Sequence, residues 1–403
     1  MLYTGGPLTV LVKGGVSEGE VESAGDTAIV QLTFILIYVI TFFLLAIRWK
    51  KTVYVLTKNQ NIVLLTGIAA FSLLWSVDPT ITFTRIVALI GTTLFGVYLS
   101  VSYNSLEKHL LIVSFTFGLI VIVSLIFSVV LPKYGVMSGI HAGSWRGIYV
   151  HKNAFGKWMV LSAIICLLKC LKVDKKYFIW EAALGLSIFM LVLSRSSAAI
   201  IVFLDMIIIF SLLNVLRLQY DLIVPIIAFM MLVTSITTLW AVDNANEILG
   251  VFGKDTTFTG RTDLWELLID MALRRPWLGY GYGAFWGLNS ASEEVWRAIP
   301  WHPPNAHNGY IDILLNIGFI GLFIFAIGFI RNLAISLMLV RQYKTPEVLF
   351  PCMLISYFAI SNFSESGLMV QNDFGWVIYV SLSYLLSASL NNKNHKSLTI
   401  NHY

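Results

Sequence analysis

Apolar segments of about 17 to 25 residues, the length at which a helix crosses the hydrocarbon core of a bilayer, recur along almost the whole sequence. In hydrocarbon, backbone N–H and C=O groups must be satisfied within the segment, so such a series folds as membrane-crossing helices. Eleven spans are expected, near residues 29–47, 61–76, 83–101, 110–131, 154–171, 177–194, 197–216, 222–242, 309–330, 347–362 and 374–390. The second and third are short or interrupted by polar residues, and their lengths also fit a re-entrant pair. Composition excludes a soluble domain: 57% of the 403 residues are hydrophobic and 12% charged, against roughly 25% charged in soluble domains. The expected fold class is an all-α polytopic integral membrane protein with about 11 (10–12) transmembrane helices.

The expected division of the chain is a polar acidic leader over 1–28, transmembrane helices 1–8 over 29–242, and an outside loop over 243–308. Helices 9–11 follow over 309–390, then an inside tail over 391–403. Glu18, Glu20, Glu22 and Asp26 face a lone Lys13 in the leader, which lacks the basic start and apolar core of a cleavable signal. Cys166, Cys170 and Cys352 lie in apolar runs without metal-ligand spacing and read as packing residues.

Lys and Arg favour cytoplasmic loops. Arg48, Lys50, Lys51 and Lys58 follow the first span, and Lys169, Lys172, Lys175 and Lys176 lie between the fifth and sixth, so these loops are placed inside. The same assignment puts Lys108, Arg217, Arg331, Arg341, Lys344, Lys393 and Lys396 inside. Most remaining basic residues fall in short motifs on the outside face, a pattern suited to binding an anion.

The first motif is SWRGIYVHKNAFGKWM, 144–159. Arg146, His151, Lys152, Asn153 and Lys157 stand at a helix entrance, where unpaired N–H groups favour anions. The two lysines could equally snorkel to lipid headgroups. In the second, LSRSSAAI, Arg195 interrupts two apolar stretches. An arginine at membrane depth costs at least ~2.5 kcal/mol, so it should face a cavity or a partner, unless it sits at the very end of its span.

The third motif, GRTDLWELLIDMALRRPWLGYG, reads as an amphipathic helix over 262–274, stopped by Pro276. Asp263 and Glu266 near its start and Arg274 and Arg275 near its end match the helix dipole and have a structural reading. Arg261 opposes the dipole, which suggests a negative group nearby. GYGYGAFWG, 279–287, lacks the spacing and preceding strand of a nucleotide loop. Its alternating glycines and aromatics suit a compact turn whose rings lie against sugar or lipid.

WHPPNAHNGYIDILLNIGFIGLF, 301–323, places His307 and Asn308 just before the ninth span. Histidine suits proton transfer near neutrality. His302 competes for that role, and the pair lacks the third ligand of a zinc site. Glu365, in SNFSESGLMVQNDFGW (361–376), is placed to orient an arginine, to bind a hydroxyl, or to stand in solvent.

The core pattern GR...LW.......RPWLGYG followed by HNGYIDILLNIGFIGL resembles the O-antigen ligase and polymerase superfamily of membrane glycosyltransferases. The stretch WRGIYVHKNAFGKWM is similar to the succinoglycan-type exopolysaccharide polymerases. The resemblance implies a GT-C-like fold in the bacterial cytoplasmic (inner) membrane with its active site on the periplasmic face. It implies polymerisation of undecaprenyl-diphosphate-linked glycan repeats. The alternatives are ligation of the glycan to lipid A core or another terminal acceptor, or membrane transport.

By that resemblance, Arg195 and Arg261 hold the lipid diphosphate and His307 activates the acceptor hydroxyl. Arg146, His151, Lys152, Asn153, Asn308 and Glu365 complete substrate binding. The implied chemistry is inverting and metal-independent, with no cofactor. The partners are the lipid-linked donor, the glycan acceptor, the bilayer and a chain-length regulator, with no nucleic acid. Ligases of the superfamily have twelve spans, one more than expected here.

Overall fold

The computed structural model describes residues 10–11, 28–171, 178–217, 261–287, 290–299 and 302–389. Nearly all of the acidic leader, the expected span at 222–242, the loop from 243 to 260 and the tail from 391 lie outside the described residues. In chain order the helices are α1 (Ala28–Ile47), α2 (Trp49–Lys58), α3 (Gln60–Phe71), α4 (Pro79–Ser102), α5 (Leu106–Val129), α6 (Lys152–Cys170) and α7 (Phe178–Leu193). They continue with α8 (Ser197–Val215), α9 (Arg261–Arg274), α10 (Ser292–Ala298), α11 (Gly309–Gln342), α12 (Leu349–Ser361) and α13 (Phe374–Ser389). The protein is an all-α polytopic membrane protein, without a β-strand among the described residues. By length and apolarity α1, α4, α5, α6, α8 and α11 can each cross a bilayer.

Local sequence starts these helices. Asp78 caps α4 by accepting from Ile81 N at 3.0 Å, with Pro79 in the first turn, where its missing N–H costs nothing. Ser105, His151, Ser196 and Asn308 cap α5, α6, α8 and α11 in the same way. Between apolar helices in a membrane, close approach and polar contacts drive packing. At Gly156 of α6 an added Cβ would lie 2.8 Å from the Ala199 Cβ of α8, so only glycine lets the two helix entrances meet.

Three sequence expectations change. Residues 49–58, read as a loop, form α2, whose Val55 is buried and whose Lys58 ammonium lies 4.3 Å from the Tyr54 ring centre. Ten residues are too few to register as a span. The helix expected to end at 330 runs to Gln342, which places Arg331 within it rather than in a loop. That helix is also broken: Gly318 has φ 65° and ψ −168°, a conformation open essentially only to glycine.

The break is filled by the chain after Pro276. Tyr280 N and Gly281 N donate to Leu315 O and Asn316 O at 2.7 and 3.1 Å, while Phe319 N and Ile320 N donate to Pro276 O and Trp277 O at 2.7 and 3.3 Å. These are the partners that an unbroken helix would have joined to each other. Gly279, Gly281 and Gly283 all have positive φ, and a Cβ at Gly279 would meet Leu315 O at 2.6 Å. Most rings of this turn are therefore turned into the protein: Tyr280, Tyr282 and Phe285 are buried, whereas Trp277, just before it, is exposed.

The turn sits at one end of the bundle. Val77 N donates to Tyr280 O and Trp75 Nε1 to Leu278 O, which brings the α3–α4 connection there. Asn59, at the other end of α3, donates to Ser383 O at 3.2 Å, so α3 passes through the bundle rather than turning back with α4. Arg48, Lys50, Lys58, Lys108, Arg217, Arg341 and Lys344 lie toward the opposite end, where Arg48 reaches Ser102 at 3.2 Å and Arg217 reaches Thr345 O at 2.9 Å.

Candidate active site

Arg261 opens α9, where the helix dipole disfavours a cation. Its negative partner is within the chain. Arg261 Nη2 lies 3.3 Å from Glu365 Oε1 and Nη1 donates to Ser364 O at 2.5 Å. Glu365 Oε2 in turn lies 3.8 Å from His307 Nδ1, an ion-pair distance rather than a hydrogen bond. Side chains of the three residues are only 16–19% exposed. Of the three roles open to Glu365, this is the geometry of one that orients an arginine.

Burial pushes the Glu365 carboxyl up, but the adjoining His307 and the charges of Arg261 and Lys157 outweigh it and hold the group below the usual carboxylate range. With Nδ1 turned toward the carboxylate, Nε2 is the ring nitrogen left to accept a proton.

His307 has φ 47° and Arg195 φ 52°, two of the four non-glycine residues with positive φ among those described. Such conformations are uncommon for residues with a Cβ and gather at functional sites. The His307 turn is held on both sides. Its N–H donates to Asn305 Oδ1 at 2.9 Å, and Asn308 Oδ1 accepts from Tyr310 N and Ile311 N at 3.0 and 3.3 Å. Asn308 thus spends its carbonyl oxygen on capping α11.

Beside Glu365 opens a narrow cleft between α6, α8 and α12. Asn153, Lys157, Ser196, Ser364 and Glu365 give it a polar rim, and Ala198, Ala199 and Val202 an apolar floor. Ser196 Oγ donates to Asn153 Oδ1 at 3.1 Å, joining the entrances of α6 and α8. Lys157, outside the residues chosen for the site from sequence, lies here against Gly367.

Arg195 stands in the α7–α8 connection, an end-of-helix position, between buried Ser194 and Ser196. Its guanidinium is exposed above Gly143, and its carbonyl accepts from Lys152 Nζ at 3.4 Å. His151 Nδ1 accepts from Asn153 N at 3.2 Å, and the ring packs edge-on against His141. Of the residues chosen from sequence, Asn153 and Glu365 line the cleft; Arg195, His151 and Lys152 stand at the entrances of α6 and α8, and Arg261 and His307 flank Glu365.

Arg146 departs from its expected place in the ligand pocket. It is 1% exposed and donates to Tyr134 O, Lys133 O and Val150 O at 2.8, 3.2 and 3.4 Å. Five fixed N–H donors make arginine an effective clamp for loop carbonyls, and here it shapes the 133–150 loop. Arg274 pairs with Glu294 through two 2.7 Å contacts, in keeping with its structural reading.

Among the described residues, no group of three or more His, Cys, Asp and Glu side chains is placed to hold a metal ion. Residues 182–326 match the family model described as O-Antigen ligase. The matched residues include Arg195, Arg261, His307 and the break at Gly318, while Lys157 and Glu365 lie outside them. The chain is also 40% identical over 82 residues to the exopolysaccharide production protein ExoQ of Rhizobium meliloti (strain 1021). That similarity covers 19% of this chain and 18% of the relative's length.

Proposed function

We propose that this protein is a membrane glycosyltransferase that moves a glycan from undecaprenyl diphosphate to a hydroxyl of another lipid-linked repeat, building exopolysaccharide on the periplasmic face of the cytoplasmic membrane. The observation that carries this reading is Glu365 joined to Arg261 and facing His307 at the edge of a polar-rimmed cleft that also holds Lys157. The family match and the relative's exopolysaccharide role support it.

In the proposed reaction, His307 Nε2 takes the proton of the acceptor hydroxyl while its oxygen bonds the anomeric carbon. The anomeric C–O bond to phosphate breaks, and its electron pair leaves on the diphosphate. Direct displacement inverts the anomeric centre. Glu365 stabilises the imidazolium that forms, as the carboxylate of a triad does. Arg261, Lys157 and Arg195 meet the charge growing on the leaving group through charge-assisted bonds. This set is cationic rather than carboxylate-rich, which favours a metal-independent reaction. Asn153, His151 and Lys152 bind the donor's polar head, and Arg146 and Asn308 hold the loops.

Transport is the reading that the broken helix favours, because discontinuous helices expose backbone groups to ions. At Gly318, however, the freed carbonyls and N–H groups pair with the 276–281 segment. Polymerase and ligase are separated by product. Purified protein in proteoliposomes would be given lipid-linked oligosaccharide extracted from cells lacking it, with and without chelator. A ladder of lengthening chains, unchanged by chelator, is expected. Single additions to a terminal acceptor would indicate ligation, and no transfer at all would refute the reading.

A further inference from the structure

The three site residues come from distant parts of the chain; the neighbours of His307 and Glu365 bond one carboxylate, and Arg261's helix joins them one hydrogen bond away, through Ala306. Ala306, immediately before His307, accepts from Trp265 Nε1 at 2.9 Å through its C=O and donates to Asp312 Oδ1 at 3.2 Å through its N–H. Trp265 stands one turn after Arg261 on α9, the spacing that puts both on one face. Asp312 Oδ1 also accepts from Trp286 Nε1 at 3.0 Å, and Oδ2 accepts from the hydroxyl of Ser366, the residue after Glu365.

We propose that Asp312 is the positioning residue of the site, a single carboxylate that fixes Arg261, His307 and Glu365 relative to one another without touching the reacting atoms. It rests on the glycosyl-transfer reading given above. Every donor around Asp312 points at it, as suits an acceptor-only carboxylate, and the first turn of α11 favours a negative charge. The arrangement also explains how His307 keeps a left-handed backbone. The residue before it, Ala306, is held at its C=O by Trp265 and at its N–H by Asp312, and the residue after it caps α11. Exchange of backbone bonds at Gly318 anchors α11 itself, so the carboxylate stands on a fixed element.

Asp312→Asn and Asp312→Ala separate geometry from charge. Asparagine retains an oxygen for Ala306 and Trp286 but removes a negative charge near His307. The other charged groups facing that ring are Glu365 and, beyond it, Arg261 and Lys157. Rates would be measured on the full-length protein in proteoliposomes with lipid-linked oligosaccharide from cells lacking it, beside His307→Ala and Ser366→Ala. For Asp312→Ala the expected result is a fall in kcat of about 100-fold, the size of a 1 Å misplacement, with KM within about threefold. Asp312→Asn should recover most of kcat and move the acid limb of the pH profile to lower pH. Ser366→Ala, which releases only the Glu365 side and spares the fold, should lose about tenfold in kcat. Wild-type kcat in both Asp312→Ala and Ser366→Ala would overturn the proposal, as would an Asp312→Asn protein as slow as Asp312→Ala with an unmoved acid limb. His307→Ala keeps the two questions apart: if it is inactive while the Asp312 variants are normal, the positioning claim alone fails. If His307→Ala is active, the function itself fails.

Discussion

At the residue scale, the site depends on Glu365, which pairs with Arg261 and faces His307. Arg261 already shares a planar pair of contacts with Glu365 and Ser364, so lysine cannot replace it by charge alone. Arg261→Lys is expected to lower kcat/KM by about 10- to 100-fold, measured as product formed per lipid-linked donor. Glu365 also links the site to acid stability. Its carboxyl is held below the unfolded value of roughly 4.3, so its stabilising contribution is present above that value and lost as pH falls through the lower folded one. Thermal unfolding in detergent from pH 7 down to 3 should show the wild type losing an advantage over Glu365→Gln across that acid window. Parallel curves at every pH would mean that the carboxylate contributes nothing. Arg261 and His307 could be nominated from sequence, one because it opposes a helix dipole and the other because it abuts a span. Glu365 could be nominated too, with orienting an arginine among its roles, but which arginine was not legible, because Glu365 lies 104 residues beyond Arg261 in the chain and only the fold brings them together.

At the element scale, helix placement was legible wherever a long apolar run ended at a capping residue, as at Asp78, Ser105 and Ser196. Amphipathic α2 was not, because its ten residues carry basic side chains and resemble a loop in hydropathy. Nor was the break in α11: Gly318 within an apolar run reads as an ordinary small residue until the PWLGYG segment is seen to take its hydrogen bonds. Gly318→Ala tests that exchange. Its backbone conformation alone would cost on the order of 1–3 kcal/mol for any residue with a Cβ, and the added carbon would overlap the Trp277 carbonyl. A clearly lower unfolding temperature is expected, together with faster proteolysis of the 276–283 turn. Wild-type stability would show that α11 can close without the inserted segment.

At the scale of the whole molecule, the bundle separates a basic end from an end that carries the site, and membrane insertion converts this into an orientation. Lys50 on α2 and Arg274 on α9 are both exposed and lie toward opposite ends. In a background with the three native cysteines replaced, Arg274→Cys should react with a membrane-impermeant maleimide on intact cells and Lys50→Cys only after permeabilisation. The reverse pattern would put the site in the cytoplasm and remove its proposed donor face. What the sequence could not convey at this scale is that the 144–159 motif divides its work. Asn153 and Lys157 line the cleft, whereas Arg146 turns inward to hold its own loop. The central claim, that His307 takes the acceptor proton at a site built by Glu365 and Arg261, is tested most directly by turnover of His307→Ala. Wild type and variant would be reconstituted side by side and supplied with lipid-linked oligosaccharide. Loss of general-base catalysis should slow the reaction by about 10²- to 10⁴-fold with donor binding retained; turnover equal to wild type would contradict the account.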